Sequence, residues 1–210
     1  MLNLEKNFLK KRILIYGLGK SGLSTYSYLK KNNIISLYDD QIITKKNIKD
    51  THTTYKEIIK KEFDCIIISP GIDINNCKLS RFLKKNHKKI YTDLDIFYSR
   101  YAFNQKITIT GTNGKSTTAK LLYDILKDQK KDVRLVGNIG NPILLEKKIK
   151  KKTIFVIEAS SYQLEYSKLF KTNISIILNI TPDHLERHKT IDKYVSAKFK
   201  LIKNQSKNDI

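Results

Sequence analysis

Cysteine is scarce in this sequence, and its beginning has no long apolar run. Cys65 and Cys77 are the two cysteines, too few for a disulfide scaffold, and they favour a reducing compartment. Cys65 begins the apolar run at residues 65–68, so we expect a buried thiol. Residues 1–12 alternate apolar and charged side chains and lack the apolar stretch of a secretory signal or a membrane span. We therefore expect a cytoplasmic protein without a membrane partner.

Arginine is also rare, although the chain is strongly basic. The formal net charge is +21, and 41 residues are Lys or Arg. Such a charge usually suggests a nucleic-acid partner, but proteins that read base sequence favour the bidentate fork of arginine. The arginines here are Arg12, Arg81, Arg100, Arg134 and Arg187. Because the remaining basic residues are lysines spread along the chain, we expect no nucleic-acid partner, although the charge can help to attract an anionic substrate.

What the chain does contain is two series of apolar strand-like runs that alternate with helix-like segments. Its 210 residues leave room for one large or two small domains. The alternation predicts parallel α/β sheets, whose ligands lie at the carboxyl ends of the strands. We expect a Rossmann-like domain at residues 1–101 and part of a P-loop ATPase-type domain at residues 102–210. The predicted strands are residues 13–16, 34–38, 65–68, 89–91, 106–110, 133–136, 153–157 and 174–178, and the predicted helices are 21–31, 119–126 and 194–198.

A phosphate-binding loop lies between the strand at 106–110 and the helix at 119–126. A glycine-rich turn at this place aims backbone N–H groups and the positive end of a helix at one point. Ile109 stands where the common form of the motif has glycine, so this is a shorter version. The loop predicts binding of a nucleotide triphosphate such as ATP by Gly111, Thr112, Asn113, Gly114, Lys115, Ser116 and Thr117.

A second glycine loop lies near the beginning of the chain. Gly17, Gly19 and Gly22 have the spacing of a dinucleotide fingerprint, and Asp39 follows at the expected distance. Taken alone, the loop suggests NAD. Since a phosphate loop follows one domain later, we favour the diphosphate of UDP over NAD. The alternative is that these glycines only permit a tight turn and close packing.

Three later residues indicate metal and phosphate chemistry. Glu158 ends an apolar strand, where phosphate-loop enzymes place an acidic residue near Mg²⁺. His184 follows another apolar strand and is expected at the same edge of the sheet. Lys198 lies on a helix-like stretch, and by itself a lysine in so basic a chain carries little information.

Together the motifs resemble the Mur ligase family. The resemblance covers nearly the whole chain and rests on motif order as well as content, in the segments at residues 17–24, 69–71, 111–116, 137–140, 158–164, 179–184 and 197–198. Within the family the chain is most similar to the branch that adds D-glutamate. The resemblance implies ATP, UDP-N-acetylmuramoyl-L-alanine and D-glutamate as substrates, in a monomeric enzyme.

The resemblance also implies roles for individual residues. Lys115, Glu158, His184 and Lys198 would be catalytic. Ser116 and Glu158 would bind one Mg²⁺, and a second would bind to Glu158, His184 and Lys198, with Lys198 carrying a carbamate derived from CO₂. Ser160 and Gln163 would face the muramoyl-alanine end. The UDP and sugar portion would contact Lys20, Ser21, Asp39, Asp40, Ser69, Pro70, Gly71 and Asn138.

The implied reaction begins with attack of the alanyl carboxylate on the γ-phosphoryl group of ATP, which gives an acyl phosphate. The amine of D-glutamate then displaces phosphate. Family members are about twice as long as this chain, so we expect a fragment that lacks the C-terminal ligase domain and is inactive alone. Two alternatives stay open: an inactive UDP-sugar-binding remnant, and another Mur-type or folylpolyglutamate-type ligase.

Overall fold

The chain divides into two compact units in a computed structural model, which describes residues 4–41 and 52–210. The first unit is Met1–Arg100 and the second is Tyr101–Ile210. The division falls one residue before the boundary expected from the sequence. Each unit contains one four-stranded parallel sheet, which confirms the α/β fold class.

The sheet of the first unit consists of buried apolar strands. They are β1 (Arg12–Tyr16), β2 (Ile34–Tyr38), β3 (Cys65–Ile68) and β4 (Ile90–Tyr91). The order is β2-β1-β3-β4, and Ile13 of β1 pairs with both Ile35 and Cys65. Every residue of β3 is buried, as in a parallel sheet covered on both faces. The prediction of a buried Cys65 thiol is confirmed.

Helices cover this first sheet. They are α1 (Lys20–Leu29), α2 (Tyr55–Ile58), α3 (Ser80–Lys85) and α4 (Asp93–Arg100), with 3₁₀ turns at Leu4–Phe8 and His87–Lys89. Several predicted bounds were wrong: β1 and α1 each begin one residue earlier than predicted. Lys89 belongs to a 3₁₀ turn and not to the strand, and α1 ends at Leu29, where the following Lys30 is the C-cap.

The second unit places the phosphate loop near the centre of its sheet. Its strands are β5 (Lys106–Thr110), β6 (Val133–Gly137), β7 (Ile154–Glu158) and β8 (Ile174–Ile177), in the order β6-β7-β5-β8. Its helices are α5 (Lys115–Asp128), α6 (Ser161–Glu165), α7 (Leu185–His188) and α8 (Ile191–Phe199), with a 3₁₀ turn at Ile143–Leu145. Strand β5 is buried throughout, whereas β8 is a half-buried edge strand.

The helix after the phosphate loop begins earlier than predicted. Helix α5 begins at Lys115, because Gly114 turns the chain with φ +82° and Thr118 N–H already donates to the Gly114 carbonyl. Strand β7 is displaced by one residue and includes Glu158, which pairs with Ile109 of β5. Within residues 4–41 and 52–210, no helix is both long and apolar enough to cross a membrane.

The first glycine loop is packed against the beginning of α1. A Cβ atom on Gly22 would lie 1.8 Å from the carbonyl oxygen of Gly17. We expect Gly22→Ala to destabilise the protein by about 3 kcal/mol or more, because the clash is with backbone. Gly19→Ala is the matched control, since no atom lies within 4 Å of the added methyl group. Urea unfolding of both variants tests this, and equal stability would contradict it.

Candidate functional site

The beginning of α5 is exposed and suited to an anion. No side chain caps this helix, and its first turn contains no acidic residue. By contrast, the side chains of Thr54, Ser160 and Thr190 cap α2, α6 and α8. The first N–H groups of a helix have no intrahelical acceptor, and the helix dipole makes them attractive to phosphate. The structure therefore leaves this terminus available where the sequence predicts phosphate binding.

The segment that follows β8 holds the phosphate loop in place. Thr112 N–H donates to the carbonyl of Asn179 at 2.9 Å, and Asn113 N–H donates to Asn179 Oδ1 at 2.9 Å. Thr181 N–H donates to Thr112 Oγ1 at 3.0 Å. Lys115 Nζ donates to the Thr112 carbonyl at 2.6 Å, so the lysine lies along its own loop. The bonds with Asn179 and Thr181 join the loop to the segment that follows the edge strand β8.

Glu158 is a buried carboxylate between two hydrogen-bond donors. Glu158 is only 1% exposed. Ser116 Oγ donates to Glu158 Oε2 at 2.8 Å, and Asn138 Nδ2 donates to Glu158 Oε1 at 2.8 Å. A hydroxyl and a carboxylate in contact at the first turn of α5 are oxygen ligands of the kind that Mg²⁺ prefers. The residues present thus fit the predicted Mg²⁺ site.

Asn138 also belongs to this arrangement. Its amide is bonded to Glu158, and its contact with the UDP and sugar portion of the substrate stays a prediction. Its backbone N–H also donates to the Glu158 carbonyl at 2.9 Å. The cause is the pairing of β6 with β7, which sets Gly137 opposite Glu158.

Lys198 is buried beside the phosphate loop. It is 1% exposed, its Nζ donates to the Gly111 carbonyl at 2.7 Å, and it lies 4.5 Å from the centre of the Tyr194 ring. Burial, followed by the charge of Lys115, lowers the pKa of Lys198 to about 8. The ammonium form is therefore less favoured here than at the protein surface.

His184, at the beginning of α7, is more exposed than Glu158 and Lys198. Its φ is +53°, and its ring nitrogens lie 3.4 Å from Asp183 Oδ2 and 3.6 Å from Glu186 Oε1. In the part of the chain that the structure describes, no group of three or more His, Cys, Asp or Glu side chains is placed to hold a metal. The second Mg²⁺ site, with Glu158, His184 and Lys198, stays a prediction.

The side chains of Ser160 and Gln163 contact each other, and their position at the muramoyl-alanine end of the substrate stays a prediction. They form a capping box at the beginning of α6. Ser160 N–H donates to Gln163 Oε1 at 3.1 Å, and Gln163 N–H donates to Ser160 Oγ at 3.3 Å. Gln163 is also buried. The signal was in the sequence, because Ser followed three residues later by Gln is a capping-box pattern.

In the first unit, the glycine loop again leads into a helix without a side-chain cap. Gly19 is the N-cap of α1, and the first turn has no acidic residue. Lys20 is exposed there, while Ser21 Oγ donates to Asp93. Asp39 Oδ2 accepts a bond from the backbone N–H of Leu18 at 2.6 Å. Asp39 thus shapes the loop itself.

Several other predicted substrate residues also contribute to local structure. Asp40 Oδ1 accepts a bond from the Tyr16 hydroxyl at 2.7 Å. Ser69 Oγ donates to the Gly17 carbonyl at 2.6 Å, which fixes the two loops against each other. Pro70 is half-buried and Gly71 is exposed. Of this second loop, Gly71 is the residue most open to a ligand.

Sequence reasoning missed three buried polar residues near these loops. Asp93 accepts the Ser21 hydroxyl, and burial raises its pKa. Tyr194 contacts Thr112 through its hydroxyl. His188 Nε2 lies 3.0 Å from Ser161 Oγ, and burial lowers the histidine pKa. None of the three has a distinctive spacing to its partner, so no sequence signal would have found them.

Comparison with known families agrees with this arrangement of two α/β units with glycine loops. A family model described as the Mur ligase middle domain matches residues 109–210. A second, described as the Mur ligase MurD-like N-terminal domain, matches residues 11–90. The chain belongs to the Mur ligase family and carries its N-terminal and middle domains, which confirms the resemblance.

Similar curated proteins are UDP-N-acetylmuramoylalanine–D-glutamate ligases. The protein of Rickettsia bellii (strain RML369-C) is 35% identical over 204 residues, which are 95% of this chain and 45% of that protein. The protein of Lachnoclostridium phytofermentans is 38% identical over 216 residues, 97% of this chain and 47% of that protein. The chain thus spans about half the length of the relatives it matches.

Solved Mur ligase structures share the fold. The UDP-N-acetylmuramate:L-alanyl-gamma-D-glutamyl-meso-diaminopimelate ligase from Neisseria meningitides matches with a TM-score of 0.60 at 12% identity, over 95% of this chain and 70% of that one. The UDP-N-acetylmuramate-alanine ligase from Thermotoga maritima matches with a TM-score of 0.50 at 20% identity, over 92% of this chain and 47% of that one. At these identities the likeness concerns the fold alone.

The capping box makes a prediction about stability. We expect Ser160→Ala to destabilise the second unit by about 1 kcal/mol, because it removes the acceptor for an N–H group of α6. Ser196→Ala, at an exposed position of α8, is the control and should change stability by less than about 0.5 kcal/mol. Chemical denaturation measures both, and equal effects would argue against a capping role for Ser160.

Proposed function

We propose that the whole protein is an ATP-dependent ligase that adds D-glutamate to UDP-N-acetylmuramoyl-L-alanine in peptidoglycan precursor synthesis. The observation that carries the proposal is the contact of Ser116 with buried Glu158 at the uncapped beginning of α5. It is a phosphate-loop arrangement in a chain of the Mur ligase family. The names of the similar curated proteins support D-glutamate as the added amino acid.

In this proposal the second unit binds ATP. The N–H groups of Gly114, Lys115, Ser116 and Thr117 hold phosphate oxygens, and Lys115 turns from the Thr112 carbonyl towards the outer phosphates. Ser116 and Glu158 hold Mg²⁺, which supplies charge neutralisation at the transferred phosphoryl group. Asn138 keeps the Glu158 carboxylate directed at Ser116. These residues position and stabilise charge, which is the main demand of phosphoryl transfer.

A second Mg²⁺ site is proposed from the family resemblance. Glu158, His184 and Lys198 would hold it, with Lys198 as a carbamate. The carbamate converts a cation into an anion, and the buried position of Lys198 beside Gly111 supports this use because an ammonium there is poorly solvated. His184 would have to leave its contacts with Asp183 and Glu186.

The first unit would bind the UDP portion of the substrate. The diphosphate would lie at the uncapped beginning of α1, near Lys20 and Gly71. The alanyl carboxylate would then attack the γ-phosphoryl group of ATP to give an acyl phosphate and ADP. The D-glutamate amine would displace inorganic phosphate from the acyl carbon, which forms the amide and releases a proton. We place the protein in the cytoplasm as a monomer without nucleic-acid or membrane partners.

The alternative kept from the sequence is an inactive UDP-sugar-binding remnant. The matched part is 45% of the protein from Rickettsia bellii. A remnant would keep ligand binding by the first unit without ligation. Nucleotide binding by the second unit separates the two proposals.

The first test concerns that nucleotide site. We expect Lys115→Met to weaken binding of MgADP to residues 1–210 by at least about tenfold, which is about 1.4 kcal/mol, because a charge near the phosphates is lost. Lys120→Met is the control. Lys120 lies on the same helix and pairs with Asp124, so its replacement should leave the MgADP affinity unchanged. Calorimetry measures both. The absence of MgADP binding by the unsubstituted chain would favour the remnant.

The second test concerns the first unit. We expect residues 1–210 to bind UDP-N-acetylmuramoyl-L-alanine more tightly than NAD in calorimetry. Gly19→Asp places a negative charge at the beginning of α1, where there is open space, and should weaken binding at least about tenfold through repulsion of the diphosphate. Gly19→Ala should bind normally. Tighter binding of NAD would overturn the assignment of this loop.

A further inference from the structure

Tyr194 lies where the phosphate loop meets Lys198. It is 1% exposed on α8, and its hydroxyl oxygen is 3.1 Å from Thr112 Oγ1. Its ring lies beneath Lys198 Nζ, 4.5 Å from the ring centre. Because Tyr194 and Lys198 are four residues apart on one helix, they share a face. One side chain therefore contacts both the loop and the buried lysine.

The hydroxyl end of Tyr194 completes the network that holds the loop. Thr112 Oγ1 accepts the N–H of Thr181 at 3.0 Å and lies 3.2 Å from the Thr181 carbonyl oxygen. Thr112 N–H donates to Asn179. Thr112 is thereby held by the segment after β8 on one side and by α8 on the other. These supports come from residues about 70 to 80 positions later in the chain.

The ring end of Tyr194 is held as firmly. The His188 ring lies 5.3 Å away and the His184 ring 6.3 Å away, measured between ring centres. His188 is in turn bonded to Ser161 at the beginning of α6. As long as Lys198 carries no carbamate, the ring face attracts its ammonium. Helices α6, α7 and α8 thus fix the ring, and the ring fixes the position of Lys198.

We propose that Tyr194 is a positioning residue of the nucleotide site, which holds Thr112 through its hydroxyl and Lys198 through its ring. The inference rests on the proposed function, since it takes residues 111–117 as the nucleotide-binding loop. A loop held in its binding conformation loses less conformational entropy when the ligand binds. A tyrosine that only filled the core could be replaced by phenylalanine without a change in nucleotide affinity, because the ring is the same.

The test compares hydroxyl removal at two tyrosines. We expect Tyr194→Phe to weaken MgADP binding to residues 1–210 about five- to tenfold, the range of one lost hydrogen bond. Tyr162→Phe is the matched control: its hydroxyl donates to Glu186 at 3.1 Å and not to the loop, so affinity should be unchanged. Thermal unfolding shows whether both variants are folded.

A double-mutant cycle separates a specific link from general damage. Thr112→Val removes the hydroxyl that the Tyr194 hydroxyl contacts. Because Thr112 is half-exposed, this variant tests the contact even if Tyr194→Phe is unstable. Thr112→Val also removes the contacts of Thr112 Oγ1 with Thr181, but it already abolishes the contact that Tyr194→Phe removes. We therefore expect the double variant to bind MgADP no more weakly than the weaker single variant. If the two substitutions weaken MgADP binding by factors that multiply in the double variant, the proposal is overturned. Wild-type MgADP affinity of Tyr194→Phe would also overturn it. If the unsubstituted chain binds no MgADP, the proposed nucleotide site fails first, and this role fails with it.

Discussion

The buried carboxylate of Glu158 is the constraint on which the second unit depends. An isolated carboxylate at a position 1% exposed would be costly, so it must have partners. Ser116 supplies one from the beginning of α5, and Asn138 supplies the other from the loop after β6. Three segments are therefore brought together at the end of β7. The same bonds that satisfy the carboxylate aim it at the place where phosphate and Mg²⁺ are expected.

The helices of the two units differ in how their first N–H groups are satisfied. Helices α2, α6 and α8 use the side chains of Thr54, Ser160 and Thr190 to satisfy their first N–H groups. Helices α1 and α5 begin at glycine without such a cap. The short helices α3 and α7 also lack a side-chain cap, but α1 and α5 are the ones that follow the two predicted glycine loops. A cap there would compete with the ligand, and its absence leaves the N–H groups at the beginnings of α1 and α5 available to a phosphate group.

Most of the fold and part of the site could be predicted from sequence. Strands β2, β3 and β5 have the predicted bounds, because each consists mostly of apolar or β-branched residues. Helix bounds were predicted less accurately. Helix α5 begins at Lys115, directly after the positive φ of Gly114, although the residues of its first turn are polar. Glu158 and Ser116 were predicted together and do meet. Ser160 and Gln163 were assigned to substrate, although their spacing also had a purely local explanation.

The sequence by itself determined the two glycine loops, the order of the motifs and the family, because these depend on residues close together in the chain and on their local chemistry. Only the tertiary structure decided that Asn138 bonds Glu158 and that Tyr194 bonds Thr112. Those contacts join residues 20 and 82 positions apart. They exist because the strand order β6-β7-β5-β8 sets the loops after β6, β7 and β5 side by side, and because α8 packs beneath the phosphate loop. No spacing rule connects such partners, since their distance is set by the sheet and not by the chain.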